Sequence, residues 1–330
     1  MNFIKTLQLI LFIAISTTAF SQKQDPEIYL PSNNGNWEKA KQQESNWNAF
    51  ALKELIGYAE NQNSSGLLIL ANGKILVEEY WIEKKDLHFE DVASIQKSVI
   101  SLLCGIAISQ RILDINSSVN KYIKSGWSNS DLKNENKILV KHLLSMSSGL
   151  DESLNFKYLP GEKWSYNTTA YSRLITILET ITAKDIKVLT QEWLTKPIGI
   201  KDSKWIKRQG NYDNPHGYKA NLRDLGRLGL LILNNGYWDG ENIIKNKDYL
   251  KEAFQPSQEM NKKYGYLFWL NTELKYHSDC PDDMIIMVGA GNRNVYVFPS
   301  TNVVVVRLGR RAEKGFHNKI LDLIIESMPN

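Results

Sequence analysis

A serine three residues before a lysine is the smallest arrangement in this chain that could do acyl-transfer chemistry. It occurs three times, as Ser94/Lys97, Ser118/Lys121 and Ser130/Lys133. Free serine is a weak nucleophile unless a neighbouring base takes its proton. On a helix, residues three apart share a face, so a lysine at that offset reaches the serine hydroxyl. Burial penalises the charged ammonium and lowers the lysine pKa, which lets the amine act as that base. The useful pair therefore needs a serine at a helix start with an apolar helix behind it. Ser130/Lys133 lies in the polar stretch SNSDLKNENK, read as a loop with nothing to desolvate the lysine. Ser118/Lys121 lies in NSSVNKYI, where Ser117 or Ser118 suits a helix cap. Only Ser94/Lys97 is followed by a long apolar run, VISLLCGIAI. Pattern alone leaves a second reading of Ser94 open, as the ordinary N-cap of that helix.

The elements that must hold such a pair can be read from periodicity. A helix is expected from about Trp47 to Asn61, then a strand pair in GLLILANGKILVEEYW joined at Asn72-Gly73, a strong hairpin signal. Residues 94 to about 255 read as mainly helical, as in SVISLLCGIAIS and AYSRLITILETIT. The character then reverses. YGYLFWLN, MIIMVG, NVYVFP and NVVVVRLG read as strands, and HNKILDLIIESM as a closing amphipathic helix. Strands at both ends with helices between imply an α+β fold: one antiparallel sheet built from both chain ends, flanked by terminal helices, with a large helical insertion. Sites commonly lie in the cleft that such an insertion creates.

The first residues do not belong to this pattern. MNFIKTLQLILFIAISTTAFSQ has an early lysine, a short apolar run and small residues before a possible cut, which reads as a signal peptide over residues 1–21. The apolar run is too short for a membrane span. Residues 22–48 read as a polar leader and 49–330 as the folded domain, with the helical subregion at about 94–255. Export to the periplasm or the extracellular space is the expectation, with no membrane association after cleavage. A net charge of +4, spread without a basic block, points away from nucleic acid. Two cysteines, Cys104 and Cys280, do not make a disulfide framework, and Cys104 reads as a small core residue. Five scattered histidines suggest no metal site, and no motif calls for a cofactor. His142 in KHLLSM suits packing on a helix, and His216 sits in a loop that could border a cleft. No Gly-x-Ser-x-Gly elbow supports a Ser-His-Asp hydrolase.

The segment DVASIQKSVISLLCGIAISQRILDINSSVNKYI resembles the nucleophile region of the serine hydrolases related to class C β-lactamases and penicillin-binding proteins. VKHLLSMSSGLD, PGEKWSYNTTAYSRLITILE, EWLTKPIGIKDSKW, ANLRDLGRLGLLILNNGYWDGENII and GAGNRNVYVFPSTNVVVVRLG continue the likeness in the family's order, over roughly residues 50 to 325. The resemblance implies a β-lactamase/transpeptidase-like fold with Ser94 as nucleophile and Lys97 as its proton acceptor. It makes Tyr166 the second-motif tyrosine that shares the base role, its pKa lowered by a cation such as Lys97. Tyr171 is then structural. The family commonly has asparagine two positions after that tyrosine, where this chain has Thr168, a candidate substrate-binding residue, while Asn167 could point elsewhere.

The third motif departs further. Penicillin-recognising relatives carry Lys-Thr-Gly, whereas this chain has Gly289-Ala290-Gly291-Asn292. The resemblance implies an oxyanion hole made by the backbone N–H groups of Ser94 and Asn292, with Gly291 beside the substrate. A Gly-rich turn without a catalytic role is the alternative. Arg293 is expected to point elsewhere, leaving Arg307, Arg310 and Arg311 as other possible cations. Without the lysine that helps hold a substrate carboxylate, an esterase or amidase acting on a small ester, amide or peptide-like molecule is favoured. A β-lactamase or D-Ala carboxypeptidase is the first alternative, and a non-catalytic ligand-binding relative the second.

Overall fold

The computed structural model describes residues 28–33, 36–41, 46–82, 89–209, 216–272 and 276–329. The signal segment read at 1–21, and the leader up to residue 27, lie outside the described residues. The first helix, α1 (Ala49–Asn61), is capped by the Asn48 side chain, which accepts the N–H groups of Phe50 and Ala51. Strands β1 (Ser64–Ala71) and β2 (Lys74–Tyr80) follow, joined by Asn72 at φ 48° and Gly73 at φ 83°. Two positive φ values in succession are what a tight hairpin turn requires. A two-residue strand β3 (Glu90–Asp91) leads into the apolar helix α2 (Ile95–Ser109).

Short helical segments occupy much of residues 119–195 and include α3 (Thr168–Tyr171). Besides a small pair at Tyr237–Trp238 and Glu241–Asn242, two strands interrupt the region expected to be mainly helical: β4 (Lys204–Lys207) and β5 (His216–Ala220). With β3 they form a second sheet in the order β3-β5-β4. KWIK and HGYKA are too short to show a period of two, so the reading by periodicity passed over them. Helix α4 (Leu222–Leu233) precedes the last group: β6 (Trp269–Leu270), β7 (Ile285–Gly289), β8 (Arg293–Phe298), β9 (Val303–Gly309) and the closing helix α5 (Phe316–Ser327). Only two residues of YGYLFWLN are strand; the N–H of Leu267 instead bonds the Leu144 carbonyl, turning the chain into the helical region.

The main sheet runs β2-β1-β9-β8-β7-β6, entirely antiparallel, so both chain ends build it as expected for an α+β fold. Every residue of β1 and β9 is buried because the sheet is covered on both faces. Side chains alternate between the faces. Leu68, Leu70, Val304 and Val306 join the core beneath α2 and α4, whereas Leu67, Ile69, Val303 and Val305 pack under α1 and α5. Each such side chain contributes roughly 1.5–3 kcal/mol by burial. Cys104 and Cys280 are both buried, and no disulfide joins them. Among the described residues, no helix is long and apolar enough to cross a membrane.

Candidate active site

Helix α2 begins at Ser94 because the preceding chain is pinned on both sides. The Val92 N–H bonds the Tyr218 carbonyl of β5 at 2.8 Å, and the Ala93 N–H bonds Asp91 Oδ1 at 3.0 Å. Ala93 is held at φ 52°, a costly conformation for a residue with a Cβ and a common one beside functional groups. At the helix start the Ser94 hydroxyl makes no capping bond to the backbone. It accepts instead from Lys97 Nζ at 3.3 Å, and it lies close enough to the Tyr166 phenol to act on its titration. The pair chosen on pattern is thus assembled, and its hydroxyl is left for something other than capping.

Lys97 is only 3% exposed and faces two aromatic rings, Tyr166 at 4.9 Å and Tyr171 at 4.8 Å from their centroids. Burial brings its pKa down to about 8, and the Arg208 cation pushes in the same direction while Glu152 opposes it. Tyr166 behaves differently from expectation. Burial raises its pKa above 10; the Ser94 hydrogen bond lowers it and the Glu152 charge raises it. Lys97 lies over the ring face, and does not bring the phenol down. At neutral pH the phenol keeps its proton, and Lys97 is the group with the more accessible neutral form.

The other two Ser-x-x-Lys pairs stay simple. Ser118 caps a 3-10 turn by accepting the Asn120 N–H, and Lys121 bonds Ser117 at an exposed position. Lys133 lies in a short helix, Leu132–Glu135, capped by Asp131, where a loop was expected. His142 Nδ1 accepts the Leu139 N–H at 3.0 Å, and burial holds its pKa at about 4. His216 opens β5 with its ring edge-on to Trp205.

A cleft of about 580 Å³ opens over Ser94 and Lys97, lined also by Gln96, Thr168, Arg208 and Arg293. This lies within the size range of small-molecule sites. Asn167 points away from it. Its side chain caps α3 through the Ala170 N–H and donates to the carbonyls of Leu150 and Asp151, which leaves Thr168 in the cleft. Gln96 Oε1 is buried without a hydrogen-bond partner. Arg208 closes one side through a bidentate pair with Asp91, both bonds 2.7 Å, and a bond to the His216 carbonyl.

The third-motif strand approaches as the glycine required. A Cβ on Gly289 would lie 2.3 Å from the Val92 carbonyl oxygen, so only glycine lets β7 lie against the chain leading to Ser94. Gly291 and Asn292, at φ 82° and 60°, form the turn between β7 and β8. Their carbonyls accept from Arg307 Nη1 at 2.8 and 3.0 Å, and Asn292 Oδ1 accepts the Ala312 N–H. Neither is among the residues lining the cleft. Arg307 is fully buried beneath this turn, so it is a structural cation.

Arg293 corrects the expectation that it points elsewhere. It pairs across the ladder with Gly289, and paired residues share a face. With no side chain on Gly289, the guanidinium crosses toward the cleft, bonding Glu90 at 2.9 Å and the Ala290 carbonyl at 2.6 Å. Arg208, Arg293, Gln96 and Glu152 went unnoticed as a group in the sequence. They come from four separate segments, and no spacing rule connects them.

The strand ladder also shows which N–H groups of β7 point to its β6 edge. The Asn271 N–H bonds the Met284 carbonyl, so even-numbered residues of this strand turn their N–H and C=O groups toward β6. Pairing with β6 ends at Ile286. Val288 follows the same alternation along the open edge.

The β-lactamase family model matches residues 57–326. The chain belongs to the β-lactamase family. No curated protein matches it. Among solved structures, simvastatin synthase from Aspergillus terreus is similar at 12% identity and TM-score 0.67, over 85% of this chain and 98% of that one. A penicillin-binding protein from Bacillus halodurans gives 14% identity and TM-score 0.64, over 82% and 98%. EstCE1, a hydrolase with promiscuous acyltransferase activity, gives 13% identity and TM-score 0.67, over 85% and 98%. At these identities the likeness shows the fold, a β-lactamase/transpeptidase-like arrangement of helices on an antiparallel sheet. The family match and the fold are those of serine hydrolases, consistent with ester or amide hydrolysis.

Proposed function

We propose that this β-lactamase-family protein is an exported serine hydrolase that cleaves a small ester or amide through an acyl-enzyme on Ser94. The observation that carries the proposal is the Ser94 hydroxyl, free of any helix-capping bond and set between Lys97 and Tyr166 at the mouth of the cleft. Lys97, in its neutral form, takes the Ser94 proton as Oγ attacks the substrate carbonyl carbon. The tetrahedral oxyanion is held by the Ser94 N–H, aided by the α2 N-terminus. The second donor comes from the Gly289–Asn292 segment, where the motif assigns it to the Asn292 N–H. Tyr166 gives its phenolic proton to the leaving group and takes one back from protonated Lys97, which is neutral again for the second half. Water then attacks the acyl carbonyl, its proton goes to Lys97, and Ser94 leaves reprotonated. Thr168 and Gln96 supply polar contacts to the substrate.

Export rests on the signal pattern at residues 1–21 and agrees with a cell-wall fragment or an external ester as substrate. The cleft cations favour a second reading, a substrate carrying a carboxylate, such as a β-lactam or a D-Ala peptide. Arg208 and Arg293 are each already held by Asp91 and Glu90, which favours the uncharged acyl donor. A panel of short acyl esters, linear amides, D-Ala peptides and nitrocefin separates the two readings. Turnover is expected for the esters, with nitrocefin unhydrolysed; rapid nitrocefin hydrolysis with inert esters would reverse the choice.

The electrostatics predict a pH profile. Lys97 must be neutral to act as base, so kcat/KM should rise with pH through about 8 and then level. Arg208→Gln removes a repelling cation and should move the rise to higher pH. Glu152→Gln removes a stabilising anion and should move it to lower pH. Shifts of the same sign in both variants would exclude Lys97 as the titrating group.

A further inference from the structure

A second and larger cavity, of about 890 Å³, lies beside the catalytic cleft, and β4 is a wall of both. Lys204 and Trp205 at the start of the strand line the second cavity, while Ile206 to Arg208 at its end line the cleft. Nothing in the acyl-transfer scheme uses this second space. Its opposite wall is a π-helical turn, Gln191–Thr195, in which the Lys196 N–H reaches back five residues to the Gln191 carbonyl. Such turns are rare and are often found at functional sites.

The lining is strongly basic. Lys187, Lys196, Lys201 and Lys204 border the cavity against a single carboxylate, Asp202. All four lysines are exposed, and none forms an ion pair among the described residues. The floor is aromatic and buried. Trp205 packs edge-on against Tyr218 at 5.2 Å, and its Nε1 is satisfied by Thr190 at 2.8 Å. The Tyr218 hydroxyl is fully buried and has no hydrogen-bond partner. The neighbouring Ser203 hydroxyl would favour the phenolate, but it donates to Asp224 at 2.6 Å. A buried hydroxyl without a partner is a stability cost that native structures rarely carry without a reason. Here Tyr218 borders a cavity that carries four lysines, with the buried Asp224 carboxylate on its other side.

We propose that this cavity binds a small polyanion carrying phosphate or carboxylate groups. One ligand oxygen accepts the Tyr218 hydroxyl, and Lys196, Lys201 and Lys204 balance the charge. The site is separate from Ser94 and does not depend on the hydrolase reading.

Calorimetric titration of the full chain with inorganic pyrophosphate, and separately with citrate, tests it at ionic strength fixed with sodium chloride. Saturable one-to-one binding of at least one probe is expected, and the stronger of the two identifies the phosphate or carboxylate source. Tyr218→Phe and the double variant Lys201→Glu/Lys204→Glu should each weaken it about tenfold or more, the scale of a lost hydrogen bond to a charged group. Ser94→Ala should bind as the parent does. Without ligand, Tyr218→Phe should melt no lower than the parent, because it removes an unsatisfied hydroxyl and keeps the ring. Absence of saturable binding by both anions overturns the proposal. So does parent-like affinity in Tyr218→Phe.

Discussion

Ser94→Ala is expected to abolish fluorophosphonate labelling and to lower ester turnover by on the order of 10⁶-fold, the scale on which a serine hydrolase loses its nucleophile. The substitution tests chemistry cleanly because the hydroxyl does nothing for the helix. It makes no capping bond, so α2 loses no backbone partner when the oxygen is removed. The melting temperature should therefore stay close to that of the parent. A fall in activity with unchanged melting assigns Oγ to the reaction. Labelling that persists in Ser94→Ala would place the nucleophile on another residue.

Lys97 and Tyr166 should differ in how they fail. Lys97→Met keeps most of the buried volume under Tyr166 and Tyr171 while removing the amine, and turnover should fall by about 10²–10⁴-fold. The rise in activity near pH 8 should vanish with it, since that rise belongs to the lysine. Tyr166→Phe keeps the ring that packs against Trp164 and Tyr264 and removes only the hydroxyl. Its turnover should fall on a similar scale, yet the rise near pH 8 should remain. Stopped-flow or steady-state pH profiles of the two variants separate these patterns. A Tyr166→Phe enzyme with parent-like rates would remove the phenol from the proton path.

How much of this was legible in the sequence depends on how local each feature is. The Ser94/Lys97 pair could be selected because both its spacing and its desolvating helix lie within fifteen residues. The hairpin at Asn72-Gly73 and the valines of β9 were equally readable, since turn chemistry and apolar runs are local signals. The cleft walls were not. Arg208 reaches the site only because β4 and β5 pair with β3, and those strands are too short to announce themselves. Resemblance located the Gly289–Asn292 segment, but not which of its N–H groups faces the cleft. Alternation has a period of two, so alignment near a turn cannot fix orientation without the ladder itself. Arg293 was misjudged for a related reason: its direction depends on a missing side chain opposite, at Gly289. Tyr166 was placed next to a cation, but burial and the geometry over its ring determine the sign of its shift.

The main sheet joins residues that are far apart in the chain. β1 is completed on one edge by its neighbour β2 and on the other by β9, with Ser64 opposite Gly309 and Ala71 opposite Val303. A hairpin alone is marginal in water, so β1 and β2 have no stable partner until the last strands arrive. The contact order is correspondingly high, and closure of that long loop must precede most of the favourable burial. Folding should therefore be slow and should wait for the complete domain, with the VVVVRLG edge exposed in the interval. A chain ending before Val303 would leave one edge of the apolar strand β1 unpaired. Such a fragment should aggregate, where a self-contained N-terminal subdomain would not.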